Sequence, residues 1–350
     1  MPKTCDRDKG DKFGYRSFLA DAMRDYLEYL DCLGFSTVSP AYDLKRIDRF
    51  LADNNINGIQ QCNHQMWHGI LHRYQGQVKA NTLRRWRNTF HGLCRYLVRQ
   101  GRMTENPVAA FPIPKLQQYR PFVFTIEQLR RFLDYLQQQA DHSTSPFISF
   151  RFRSHYIFYH LLYACGLRVS EGVRLTTADY SAERRTLFIQ PSKFYKDRLI
   201  PIGSRVACNI EGLLQLRQRR FAIPPEGRIF MILPQRRPYT RFAASRYFQK
   251  TMQRLGIYRP EVTDRNCTHG TPHLHELRRA FAVHRLMKWH REQADVDAKL
   301  PLLATYMGHS RFAYTKTYLT LTQQLLSEAG HRFAQSFDRL DWMPDDPKLG

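Results

Sequence analysis

The chain has 350 residues, and 54 lysines and arginines against 31 aspartates and glutamates leave it a formal charge of +23. That length fits two domains, 43% hydrophobic residues suffice for folded cores, and a basic excess spread over both halves points to a polyanion partner, nucleic acid first. No apolar run of about 18 residues is present, which excludes a membrane-spanning helix, and the polar first twelve residues do not read as a signal peptide.

From Lys12 to Gly34 apolar residues recur at helical spacing (Phe18, Leu19, Ala22, Met23, Tyr26, Leu27, Leu30). Ser39-Pro40 predicts the N-cap and first position of a second helix, with Leu44, Ile47, Phe50 and Leu51 inward. A third helix is expected over 63–74. A fourth, from Asn81 to Gly101, buries Leu83, Trp86, Phe90, Leu93 and Leu97. Lys79, Arg84, Arg85 and Arg87 crowd its start. Cations there oppose the helix dipole, so their placement is easier to understand if they face DNA phosphates. Pro107, Pro112, Pro114 and Pro121 then mark an extended linker. The expected domains are 12–104, a linker over 105–122, and 123–350.

In the second domain Thr125 and Gln128 form a capping box at the head of a helix. A buried helix over 152–165 follows and stops at Gly166. Leu167-Arg168-Val169-Ser170-Glu171 reads as a turn into a short helix capped by Ser170. Strands are expected over 185–190 and 196–202, with a turn between them, and a short one over 229–232. Helices are expected over 206–219, 240–255 and 273–289, and an irregular polar loop over 258–270. The seven cysteines are odd in number and show no CxxC spacing. They read as reduced thiols. His64, His68 and His72 share a helix face, but no partner at metal-ligand spacing completes a site.

Several residues carry chemistry. Arg168, just past a buried helix, is placed to grip a phosphate with a fork of N–H groups. Lys193 lies at a hairpin tip, where a flexible amine can reach a leaving oxygen. His275 and Arg278, three apart, share a helix face. His309 sits in Gly308-His309-Ser310, and Tyr318 follows nine residues later. A phenol has a free pKa of ~10, so it needs cationic and hydrogen-bonding help to act as a nucleophile.

In this order and spacing the residues resemble the tyrosine recombinase (phage integrase) family, most closely integrases borne by transposons and other mobile elements. Gly166-Leu167-Arg168-x-Ser170-Glu171 matches the first arginine box, with Glu171 as supporting carboxylate. Lys193 matches the hairpin lysine, with Lys196 a weaker candidate, and His275-x-x-Arg278, His309 and Tyr318 match the rest. Tyr314 is too close to His309. Arg279 stands where a second histidine is common. Thr271-Pro272-His273 is displaced from the usual register, making His273 a rival to His275.

The resemblance implies a mainly α fold with a small antiparallel β-sheet: a helical core-binding (SAM-like) domain followed by an α+β catalytic domain. It also implies site-specific cutting and rejoining of DNA, in which Tyr318 attacks the scissile phosphate and a 3′-phosphotyrosyl link forms. Arg168 and Arg278 clamp the phosphate, Lys193 protonates the leaving oxygen, His275 takes the tyrosyl proton and His309 donates to the phosphate. No cofactor and no metal are expected. The implied partners are double-stranded DNA with paired half-sites and a homotetramer, or a hetero-assembly with related recombinases. The implied place is the bacterial cytoplasm at the nucleoid, with no membrane. Integration, excision or transposition of a mobile element is the expected role. A chromosome-dimer or plasmid resolvase, a relaxing topoisomerase of similar chemistry and a non-catalytic DNA-binding accessory protein are the alternatives. After Tyr318 an amphipathic stripe (Leu325, Leu326, Ala329, Phe333, Phe337, Leu340) is expected to dock on a neighbouring protomer, with packing on its own catalytic domain the alternative.

Overall fold

The computed structural model describes residues 13–111, 118–190, 197–264, 267–309 and 318–322. The chain divides into two compact units, Met1–Gln118 and Tyr119–Gly350. The expected fold class holds: both units are mainly helical, and the second carries small antiparallel sheets.

The first unit contains α1 (Ala20–Cys32), α2 (Val38–Asp53), α3 (His64–Arg73) and α4 (Ala80–Arg99). In α4, Trp86, Phe90, Leu93 and Leu97 recur every three or four residues and form one buried stripe. That stripe joins Met23, Leu44, Leu51 and Trp67 in a single core. Each such side chain contributes roughly 1.5–3 kcal/mol over an exposed one. Helix α2 begins before Ser39-Pro40, and Thr37 is its N-cap. Pro40 is tolerated as the third helical residue because the first N–H groups of a helix have no intrahelical acceptor.

The second unit runs β1 (Gln118–Arg120), α5 (Ile126–Asp141), α6 (Pro146–Ala164), α7 (Val169–Gly172), β2 (Tyr180–Ser181), β3 (Thr186–Ile189), β4 (Arg198–Pro201), α8 (Ser204–Phe221), β5 (Met231–Ile232), β6 (Arg237–Pro238), α9 (Arg241–Arg254), β7 (Val262–Asp264), β8 (Cys267–His269), α10 (His275–Arg291) and α11 (Val296–Met307). Residues 318–322 are helical. Helix α6 packs on α5, α8 and α10. It is buried almost all round from Ser154 to Ala164, as a helix stretch rich in apolar and aromatic residues must be. The capping box at Thr125 and Gln128 is present and starts α5.

Two further expectations are corrected. Residues 258–270 are not an irregular loop: β7 and β8 pair antiparallel within a sheet ordered β1-β8-β7. All three residues of β7 are exposed, so no apolar alternation announced it. Ser170 does not cap the short helix. Arg168 is the N-cap of α7, and its N–H donates to the Glu171 carboxylate at 2.9 Å.

Candidate active site

The site is built where α6, α7, α10 and α11 end or begin. Gly166 takes the chain out of α6 with a φ of +56°. A Cβ there would lie 2.4 Å from the Phe281 ring, so glycine serves both the left-handed backbone and the close approach. Two residues on, Arg168 Nη1 donates to Glu171 Oε1 at 2.7 Å and Nη2 to the Gly308 carbonyl at 2.8 Å. Glu171 is buried and accepts a second guanidinium, with Arg198 Nη1 and Nη2 at 3.1 and 3.0 Å. Burial alone would raise the Glu171 pKa, but bonds and charge from Arg198, then Arg168, outweigh it and hold it at about 2.

Arg278 lies in the first turn of α10 and is buried. Its Nη1 donates to the Gly166 carbonyl at 2.5 Å and its Nη2 to the Met307 carbonyl at 2.7 Å. Burial, then the charge of Arg168, lowers its pKa to about 10, so it stays cationic at neutral pH. Arg198 Nε donates to the Tyr306 carbonyl at 2.8 Å. Three consecutive carbonyls at the C-terminus of α11, those of Tyr306, Met307 and Gly308, therefore each accept from a different arginine. A helix leaves its last four carbonyls without intrahelical donors and carries partial negative charge at that end, so it attracts cations.

Gly308 ends α11 in the left-handed conformation, φ +67°, and delivers His309 to the same place. The His309 ring is 5.8 Å from that of Tyr318, centroid to centroid, and Tyr318 is buried. Burial, then the charges of Arg278, Arg168 and Arg198, presses the His309 pKa down to about 3. Burial, then Arg279 and Arg278, presses His275 to about 4. Both imidazoles are neutral at pH 7. The rival His273 turns its Nδ1 to the Thr271 carbonyl at 2.5 Å, and its Nε2 lies 3.7 Å from Glu276. Burial lifts the Glu276 carboxyl to about 7 against the pull of Arg279, which bonds it.

The structure thus brings Arg168, Glu171, His275, Arg278, His309 and Tyr318 together. Lys193, Lys196 and Tyr314 lie outside the described residues, as do Leu325, Leu326, Phe333, Phe337 and the rest of the tail stripe. Sequence reasoning missed Arg198. Its signal was available: in β4 it shares a strand face with Ile200, which is buried, and an arginine on a buried face needs an acid. Among the described residues no group of three or more His, Cys, Asp or Glu side chains is placed to hold a metal ion.

In the first unit the expected phosphate contacts divide. Lys79 and Arg85 are exposed and Arg84 is half-buried. Arg85 is paired with the buried Asp43 at 2.8 Å. Arg87 is corrected: it is buried and donates to the carbonyls of Phe111, Val108 and Ala109 at 3.1, 3.0 and 3.3 Å. Its guanidinium ties α4 to the segment after it and does not face solvent.

The chain belongs to the phage integrase family, which it matches over residues 123–324, and it matches the phage integrase N-terminal SAM-like domain over residues 23–101. It is a tyrosine recombinase, an enzyme of DNA strand exchange. It is 26% identical to the putative integrase/recombinase y4rB of Sinorhizobium fredii, over 92% of this chain and 99% of that protein. It is 24% identical to the tyrosine recombinase XerD of Rickettsia prowazekii, over 84% of this chain and 89% of that one. The fold is that of the Tn1549 transposon integrase solved with transposon right end DNA (TM-score 0.63, 16% identity, 89% of this chain and 99% of that chain). It is equally that of a lambda integrase dimer bound to a COC′ core site (TM-score 0.60, 18% identity, 86% and 76%). No described helix is long and apolar enough to cross a membrane.

Proposed function

We propose that this recombinase acts for a mobile element, cutting and rejoining double-stranded DNA at paired half-sites through Tyr318. The observation that carries the reading is the meeting of Arg168, Arg278 and His309 beside the Tyr318 ring. Tyr318 Oη attacks the scissile phosphorus, its proton passes to His275, and the bond to the 5′ oxygen breaks. A 3′-phosphotyrosyl link and a 5′ hydroxyl result, the latter protonated by Lys193. Neutral His275 has the lone pair this step needs. Arg168 and Arg278 stabilise the charge on the non-bridging oxygens, and His309 donates to one of them. Religation reverses the step with another strand's 5′ hydroxyl, so no nucleotide triphosphate is consumed. Two basic units, the first presenting Lys79, Arg84 and Arg85, grip the duplex, and four protomers, alone or with a related recombinase, complete the exchange. Such a protein works at the bacterial nucleoid.

The test is a nicked duplex carrying the sequence repeated at the ends of the element around the gene. The protein is expected to become covalently attached to the DNA 3′ end, and Tyr318→Phe to bind but form no adduct. An adduct from Tyr318→Phe would assign the nucleophile elsewhere. A resolvase of chromosome dimers is the second reading, since the same cut-and-rejoin chemistry serves two copies of one chromosomal site. It requires recombination between direct repeats of a chromosomal site, whereas the first requires excision and joining of element ends.

A further inference from the structure

We propose that Arg198 is a positioning residue of the strand-exchange site, fixing the Arg168–Glu171 pair and the turn that carries His309 as one rigid piece. The inference rests on the reading of Arg168, His309 and Tyr318 given above. All three guanidinium nitrogens of Arg198 are used on protein acceptors: Nη1 and Nη2 on the two oxygens of Glu171, Nε on the Tyr306 carbonyl. Arg168 spans the same two parts of the fold in parallel, from Glu171 to the Gly308 carbonyl. Glu171 and the end of α11 are thus joined by two arginine rungs.

The side chain of Arg198 is 11% exposed and that of Glu171 is not exposed at all. The approach is so close that a Cβ on Gly308 would lie 2.8 Å from Arg198 Nη1. Glycine at 308 therefore serves the turn before His309 and the arginine packed beneath it. Without Arg198, Glu171 keeps Arg168 as a partner but loses the fork that fixes its plane. The Tyr306 carbonyl, which helix geometry leaves without an intrahelical donor, loses its cap. Arg168 and His309 then lose their fixed separation, and misplacing a reacting group by about 1 Å costs on the order of 10²-fold in rate.

The experiment compares wild type, Arg198→Gln and Arg198→Lys on the nicked duplex, measuring single-turnover adduct formation and, separately, half-site affinity. Arg198→Gln is expected to form adduct on the order of 10²-fold more slowly, with half-site affinity and the far-ultraviolet circular dichroism unchanged. Lysine keeps the charge but not the fork, so Arg198→Lys is expected to recover only part of the rate. Combined with Glu171→Gln, Arg198→Gln is expected to add little further loss, because the two act through one contact. A duplex with sulfur in place of the 5′-bridging oxygen separates two routes. A thiolate leaves without protonation, so a defect in the hairpin lysine is relieved by it and a defect in the phosphate clamp is not. The Arg198→Gln defect is expected to persist on the sulfur duplex. Relief by sulfur, or a wild-type rate on the ordinary duplex, overturns the proposal. If Arg198→Gln fails to bind the half-site, Arg198→Lys decides: slowed cleavage at unchanged affinity upholds the positioning role, and a wild-type rate refutes it. An adduct from Tyr318→Phe would overturn the functional reading itself, whatever the Arg198 variants do.

Discussion

Replacing Glu171 by glutamine keeps the shape of the side chain and removes its charge. In the fold this carboxylate has no exposed side-chain surface, and it holds its proton at about 2 against an ordinary 4.5. A depression of that size corresponds to about 3 kcal/mol of stability at pH 7. Because the folded value lies below the unfolded one, the contribution is complete above about pH 4.5 and is lost as pH falls toward 2. At pH 3.5 roughly 2 kcal/mol remains. Glu171→Gln is therefore expected to lower the melting temperature of the second unit by roughly 6–12 °C at pH 7, with a smaller gap to wild type at pH 3.5. Calorimetry and urea titration at the two pH values measure it. A gap under about 1 kcal/mol at pH 7, or one that does not shrink with acid, would refute the argument that ion pairing outweighs desolvation here.

Three further outcomes are expected. Arg87→Met removes donors to three carbonyls. It should cost the first unit about 2–4 kcal/mol, read by urea titration of that unit, and leave the salt dependence of DNA binding unchanged. Gly166→Ala puts a side chain on a left-handed backbone and against the Phe281 ring. A loss of about 2–5 kcal/mol is expected, with slower cleavage because the Gly166 carbonyl orients Arg278, so a fully stable variant would show the ring moves aside freely. Finally, His275 holds its proton at about 4 in the fold against 6.5, lowered by burial and then by the charges of Arg279, Arg278, His273 and Arg168. The unfolded chain thus binds more protons between those values, and the DNA-free protein should lose stability as pH falls from 6.5 toward 4. His275→Asn should flatten that slope in urea titrations across the range.

What was legible in the sequence is what repeats at short range. The stripe Trp86, Phe90, Leu93, Leu97 and the Thr125–Gln128 box fixed helices because their partners lie three or four residues away. Arg87 misled because it was read with its basic neighbours Arg84 and Arg85. Its spacing to Leu83, Phe90 and Cys94 puts it on the apolar face instead, where its charge needs acceptors. The hairpin of β7 and β8 was invisible because an exposed strand needs no alternation, and its pairing with β1 joins segments far apart in the chain.

The site itself divides along the same line. Arg168 with Glu171 and His275 with Arg278 announce themselves by spacing within one turn, and His309 with Tyr318 by a separation of nine residues along the chain. The contacts that join the pairs do not: Arg198 reaches Glu171 across 27 residues and Tyr306 across 108. What gathers them is the electrostatics of one helix terminus. The last carbonyls of α11 need donors, the partial negative charge there favours cations, and three arginines supply both needs. One carboxylate among three guanidiniums leaves a net positive charge beside Tyr318, which adds to burial in holding His309 neutral, as burial and then Arg279 and Arg278 hold His275. A phosphate entering the site would offset that excess. The network that stabilises the empty fold is therefore, on the proposed mechanism, the one that makes an anion welcome in it.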